Sequence, residues 1–217
     1  MLMGISARAS HIVGADLYYK WISGNTYEIT VKLYGDCGPS SAGAFSSLPV
    51  GSPHVCIYNG PTSVGFVDLN IIAPTAGEEI TPVCDRDSAR TQCTSHSFTI
   101  PGIKQFTYVN RYTFSGPSHN WRLIYTGGNG TSGAAGRAAA LTNITGGSTM
   151  QLIDTLDNFY YHNSSPVLTV VPTPFFCIND HDCYNPGAVD IFDTSRTNPS
   201  GDSLMFYLTA ATRGTGG

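Results

Sequence analysis

Apolar and polar residues alternate most cleanly over residues 26–34. Tyr27, Ile29, Val31 and Leu33 share one face there, and Glu28, Thr30 and Lys32 take the other. A period of two predicts a half-buried strand. Residues 11–22, just before it, set Ala15, Leu17, Tyr19 and Trp21 on one side, and Ser23-Gly24-Asn25 supplies a turn, so the two runs are expected to pair as a hairpin. Further strands are predicted at 54–58 and 64–72, joined by Asn59-Gly60-Pro61. Others are predicted at 98–100, 105–114 and 121–125, broken by Pro101-Gly102 and Ser115-Gly116-Pro117, and at 150–153. Residues 37–53 form a small-residue loop and 75–92 are polar and irregular. Residues 127–136 (GGNGTSGAAG) have the composition of a flexible stretch, and 137–141 have room for one helical turn. Residues 158–162 (NFYYH) make an aromatic step into a C-terminal segment with strand patterns near 167–176, 184–192 and 203–210.

A hairpin-rich, helix-poor pattern without internal repeats predicts an all-β fold, an immunoglobulin-like β-sandwich over residues 10–162. Residues 163–212 have the look of the start of a second sandwich. A sandwich of this class needs about seven strands, so this C-terminal β segment is expected to pack on the first domain or to be completed by a neighbouring copy. Residues 213–217 form a Gly-rich tail.

Composition narrows the function classes. Hydrophobic residues make up 41% of the 217, enough for a core, while only 12% are charged, about half the usual share. With 12 tyrosines and a net charge of −4, the sheets are expected to have neutral, polar faces and no electrostatic footprint for nucleic acid. No apolar run reaches the length of a transmembrane helix. Six cysteines without a C-x2-C pair (Cys37, Cys56, Cys84, Cys93, Cys177 and Cys183) fit a disulfide-stapled, exported protein better than a zinc site. Ser6-Ala7-Arg8-Ala9 has the small-x-small form of a signal-peptidase site, so residues 1–9 are expected to be a leader remnant and Ser10 the mature start.

One stretch, residues 163–208, carries a family likeness. Asn163-Ser164-Ser165-Pro166 leads through Pro172 and Pro174 to Cys177 and Cys183, then to Ala188, Asp190 and Gly201-Asp202-Ser203-Leu204. Order and spacing resemble the junction in the large gliding-motility-associated, adhesin-like surface proteins exported by the bacterial type IX secretion system. The N-terminal part is similar to the opening of the same proteins through Ala9-Ser10-His11, Gly14, Tyr18, Tyr27, Ile29-Thr30, Lys32, Tyr34, Asp36 and Cys37, with Ala15 in place of a family glycine. Ala135-Gly136-Arg137-Ala138 stands where many relatives carry C-C-R-N. The resemblance implies a secreted, cell-surface, non-enzymatic module that mediates adhesion. Two alternatives accompany it: a self-assembling structural subunit of a surface filament, and a carbohydrate-binding module. The partners are then a surface glycan, a protein, or other copies of the chain.

Candidate chemistry follows from particular residues. The short spacings of Cys84–Cys93 and Cys177–Cys183, with the missing doublet, suggest those two disulfides and leave Cys37 with Cys56, one of fifteen possible pairings. Residues 177–183 (CINDHDC) also have the donors of a metal site, against which stands a polar hairpin turn closed by a disulfide. Calcium candidates are Asp190, Asp193, Asn198 and Asp202, but Asn198 and Ser200 replace two acidic donors of the family turn, so a type I turn ended by glycine is the alternative and no cofactor is expected. No motif for a hydrolase, metalloprotease, phosphate-binding loop or dinucleotide site is present, so no catalytic residue is expected. Trp121, Phe159, Tyr160 and Tyr161 are candidates for stacking on sugar rings, as are Tyr18 and Tyr19, whereas Trp21 and Tyr27 are expected in the core. Ser88, Thr155 and Ser203 lie in D-S/T-aliphatic triplets of the kind that bacteria of this type use for O-glycosylation.

Overall fold

A computed structural model describes residues 12–38, 53–129, 149–171, 185, 187–192, 203–207 and 213–214. The chain forms the expected β-sandwich. One sheet has the order β1-β2-β7-β5, from Ile12–Ser23 (β1), Thr26–Asp36 (β2), Ile103–Thr113 (β7) and Asn70–Ile71 (β5), with Glu78–Glu79 (β6) also pairing with β7. The other has the order β10-β8-β3-β4, from Leu152–Leu156 (β10), Trp121–Asn129 (β8), Pro53–Asn59 (β3) and Thr62–Asp68 (β4). All of these pairs are antiparallel. The β2–β3 and β7–β8 connections both pass between sheets, so the central pair of one sheet continues into the central pair of the other.

The core is what the period of two in β2 demands. Tyr27, Ile29, Val31 and Leu33 are at most 1% exposed. They meet Phe106 and Tyr108 of β7 and, across the sandwich, Val55, Ile57, Leu123, Tyr125 and Leu156 in one cluster. Residues 64–72 are not a single strand. The chain leaves the second sheet after β4, buries Leu69 completely, and joins the first as β5. Residues 98–100 form no strand: Phe98 closes a turn on Ser95, and Ile100 makes only a parallel bridge to Thr91. Gly24 (φ 50°) and Gly60 (φ 56°) turn the β1–β2 and β3–β4 hairpins in the left-handed region that a side chain would disfavour. β8 runs on to Asn129, into the stretch expected to be flexible; residues 137–141 lie outside the described residues.

The cysteines pair differently from expectation. Cys37 bonds to Cys93, with Cα atoms 4.8 Å apart, while Cys56 and Cys84 are free among the described residues. Sequence proximity misled because pairing is set by the sheet. Cys37 lies just beyond the last β2–β7 pair, Asp36↔Ile103, and its amide bonds the Gly102 carbonyl (2.9 Å), which carries it to the loop that precedes β7. Cys56 sits within β3, on the face opposite the buried Val55 and Ile57. Cys84 is exposed before a 3-10 turn, Asp85–Arg90. Cys177 and Cys183, with the metal alternative between them, lie outside the described residues. Burial pushes the Cys56 thiol above its ordinary range, which slows thiolate chemistry. Brief alkylation of the native protein at neutral pH is therefore expected to label Cys84 well before Cys56 and to spare Cys37 and Cys93. Peptide mapping that finds Cys84 protected would contradict this pairing.

C-terminal to β10 the chain lies against β1. The Tyr19 amide donates to Ser165 Oγ (2.8 Å), the Ser165 amide donates to the Tyr19 carbonyl (2.9 Å), and the Trp21 amide donates to Ser164 Oγ (3.1 Å). Two serine hydroxyls thus satisfy β1 along its outer edge, which would otherwise invite another strand. Val167–Leu168 (β11) pairs with Ala188–Val189 (β12), and Arg213–Gly214 (β13) pairs with Thr149–Met150 (β9), so the expected Gly-rich tail begins as a strand. Residues 203–207, expected as a strand, form none, and Met205, Phe206 and Tyr207 are more than half exposed.

Candidate functional site: an aromatic cleft at one end of the sandwich

Three connections meet at one end of the second sheet. They are the β3–β4 turn with Gly60 and Pro61, the β7–β8 loop ending at Asn120, and the exit from β10 over residues 157–161. Buried polar groups lock them together. Asn158, 2% exposed, accepts from the Ser118 amide through Oδ1 (2.7 Å) and donates its own amide to the Ser118 carbonyl (3.1 Å). Ser118 Oγ donates to Asn59 Oδ1 (2.9 Å), and the Gly60 amide donates to the Asn120 carbonyl (2.8 Å). Such local bonds let loops hold one shape on a rigid scaffold.

His119 is the hinge of the site. Its Nδ1 lies 2.8 Å from Asp157 Oδ2, and its ring stacks on Phe159 with centroids 4.3 Å apart. Asp157 also accepts the Phe159 amide through Oδ1 (3.0 Å), so one carboxylate positions both rings. These bonds, His119 first, hold the Asp157 carboxyl below its ordinary range. Tyr160 packs edge-on against Phe159 at 4.8 Å. Behind His119 opens a cleft of about 360 Å³, bounded by Gly60, Pro61, Asn120, Trp121, Arg122 and Thr155. Arg122 lies over the Tyr58 ring and donates Nη2 to the Gly60 carbonyl (2.7 Å), while its buried Nε has no acceptor among the described residues.

The structure separates the expected sugar-stacking residues. Phe159, Tyr160 and Tyr161 are 47%, 74% and 82% exposed. Trp121 is 2% exposed, tilted against Phe114 with its indole N–H on the Gly116 carbonyl, so it belongs to the core and only borders the cleft. Trp21 is the reverse. It lies at the end of β1 beside the turn, 38% exposed, and stacks on His162 at 4.8 Å. Tyr19 is buried, and Tyr18 is partly buried with Lys32 over its ring. Of the O-glycosylation candidates, Ser88 is exposed on the 3-10 turn, Thr155 is exposed on β10 at the cleft, and Ser203 is exposed near the C-terminus. Asp190 is buried; Asp193, Asn198 and Asp202 lie outside the described residues. Among the described residues no three His, Cys, Asp or Glu side chains group as a metal site, and no helix is long and apolar enough to cross a membrane.

His119, Asn120, Arg122 and Asp157 were not singled out by sequence as a site. Their only signal was the polar run Ser118-His119-Asn120 before Trp121-Arg122, and nothing local links it to Asp157. Chemically, the His119–Asp157 pair resembles a base and its orienter, but the nearest hydroxyl in sequence, that of Ser118, is committed to Asn59. The arrangement suits holding a ligand against flat rings. The chain matches no protein-family model, and neither a curated protein nor a solved structure is significantly similar to it.

Proposed function

We propose that the chain is a non-enzymatic, extracellular module for surface contact, of the adhesin-like kind suggested by its resemblance to gliding-motility-associated proteins of type IX secretion. The observation that carries the reading is the row Phe159-Tyr160-Tyr161, exposed on a loop pinned to a disulfide-stapled sandwich. Large aromatic rings held in water at a rigid site are the usual anchors of recognition surfaces. The test is adhesion of the full chain to glycan-coated, protein-coated and bare surfaces, measured by mass uptake. Changing Phe159, Tyr160 and Tyr161 together to serine is expected to lower retention at least about tenfold. Equal retention by the triple variant would sink the reading.

A second reading, self-assembly into a surface filament, is favoured by a different observation. β4 is the outer strand of its sheet and exposes Val64 (44%) and Phe66 (55%), while Leu204, Met205, Phe206 and Tyr207 of the same chain are exposed without strand partners among the described residues. An apolar edge and an apolar unpaired segment are complementary halves of strand addition between copies. Sedimentation that stays monomeric at all concentrations would remove this reading.

A further inference from the structure

The cleft behind His119 offers more than a sticky row of rings. We propose that it is a subsite for one neutral hexopyranose of a larger glycan, with Phe159 and Tyr160 as the stacking platform and Asn120 and Arg122 as the polar contacts; this rests on the surface-contact reading above.

The argument is one of matched chemistry. A hexopyranose has a face of C–H groups and a rim of hydroxyls that both donate and accept. The first needs a flat π surface, and the second needs planar groups that offer hydrogen bonds in the plane of the rim. The polar groups line the cleft, and the rings stand outside its lining, joined to it by His119. The platform borders the cleft through His119, which stacks on Phe159 at 4.3 Å and stands 5.3 Å from the Tyr160 ring. Asn120 presents an exposed amide, with donor and acceptor at one tip. Arg122 lines the cleft and brings a guanidinium held flat by Tyr58 and Gly60. The volume, about 360 Å³, is at the small end of ligand sites, which run from about 300 Å³ upward.

Preorganisation strengthens the case. Asp157 fixes His119 and the Phe159 amide, and Asn158 fixes the loop that carries His119, so the platform is set before any ligand arrives. A ligand then loses less ordering entropy on binding than a floppy site would demand. The overall charge of −4 disfavours a polyanionic chain, which favours a neutral sugar.

Trp121 borders the cleft and supplies a built-in probe, because the chain has only two tryptophans. In the full chain carrying Trp21→Phe, Trp121 fluorescence is followed during titration with the methyl glycosides of glucose, galactose, mannose and N-acetylglucosamine, and separately with a polyproline peptide. At least one glycoside is expected to give a saturable change. Tyr160→Ala and Asn120→Ala should each weaken it at least about fivefold, as lost stacking or hydrogen bonding does, while Phe66→Ala on remote β4 leaves it unchanged. The proposal fails if no glycoside saturates, if saturation is indifferent to both cleft variants, or if only the polyproline peptide binds. Adhesion that still depends on the aromatic row in the absence of glycoside binding would retain the surface-contact reading and reject the subsite. Loss of both would reject both.

Discussion

Replacing Cys37 and Cys93 together by serine is expected to lower the stability of the chain by about 4 kcal/mol. The bond closes a loop of 56 residues, and the entropy it removes from the unfolded chain grows with the logarithm of that length. Within the loop lie β3 and β4 of one sheet and β5 and β6 of the other, so a single covalent link restrains both layers. The folded protein has already brought the ends together. Cys37 is 1% exposed, its amide bonds the Gly102 carbonyl, and its carbonyl lies 2.9 Å from His96 Nδ1. A loss of that size is a large share of the 5–15 kcal/mol typical of a folded domain. Urea unfolding of the double variant and the parent, both without reductant, measures it; a difference under about 1 kcal/mol would show that the staple is incidental. Gly102→Ala gives an independent check. A Cβ there would stand 2.6 Å from Cys93 Sγ and 3.1 Å from the Cys93 backbone nitrogen, so alanine must displace the bonded residue. Its cost should shrink once Cys93 is serine, an interaction that a double-mutant cycle reads directly.

How much of this was legible in the sequence depended on whether the signal was local. The β1–β2 hairpin was, because a two-residue turn and two alternating runs determine both partners and the buried face. The exposure of Phe159, Tyr160 and Tyr161 was legible for a related reason. They follow the end of β10 in a bend outside both sheets, where side chains are not directed into the core. The break within residues 64–72 was not. Val67 and Leu69 keep the apolar pattern going while the chain changes sheets, and strand propensity carries no information about which sheet receives it. The two tryptophans were exchanged for the same cause. Trp21 has the inward parity of Tyr19 but lies past the covered part of β1, and Trp121 begins its strand underneath Phe114. The disulfide and the cleft were invisible at short range, since Cys37 meets Cys93, and His119 meets Asp157, only after β2, β7, β8 and β10 have paired.

Asp154 carries the other large effect, and it runs against the usual direction for an aspartate. In β10 it shares the inward side with Leu152 and Leu156, where burial pushes its pKa from the ordinary 3.8 up to about 6. Hydrogen bonds from the Thr155 amide (2.9 Å) and the Ser165 hydroxyl act the other way but do not offset the burial. The folded state therefore holds this proton more tightly than the unfolded chain. Stability from this group is fully present below about pH 4, falls as pH rises toward 6, and is level above that. The full loss is at most about 3 kcal/mol. Asp154→Asn keeps an oxygen to accept from the Thr155 amide and never ionises, so it is expected to stabilise the protein above pH 6 by up to that amount. Ser165 links the effect to the covering of β1. Its one hydroxyl proton is contested by the Tyr19 carbonyl at 3.3 Å and the Asp154 carboxylate. With asparagine in place the amide can donate to Ser165 Oγ, which frees that proton for Tyr19. Asp16, raised by burial, and Asp157, lowered by His119, add their own slopes to the parent, so the decisive quantity is the difference between variant and parent from pH 4 to 7. A difference that grows across that window supports the account, and a variant less stable than the parent at pH 7 would overturn it.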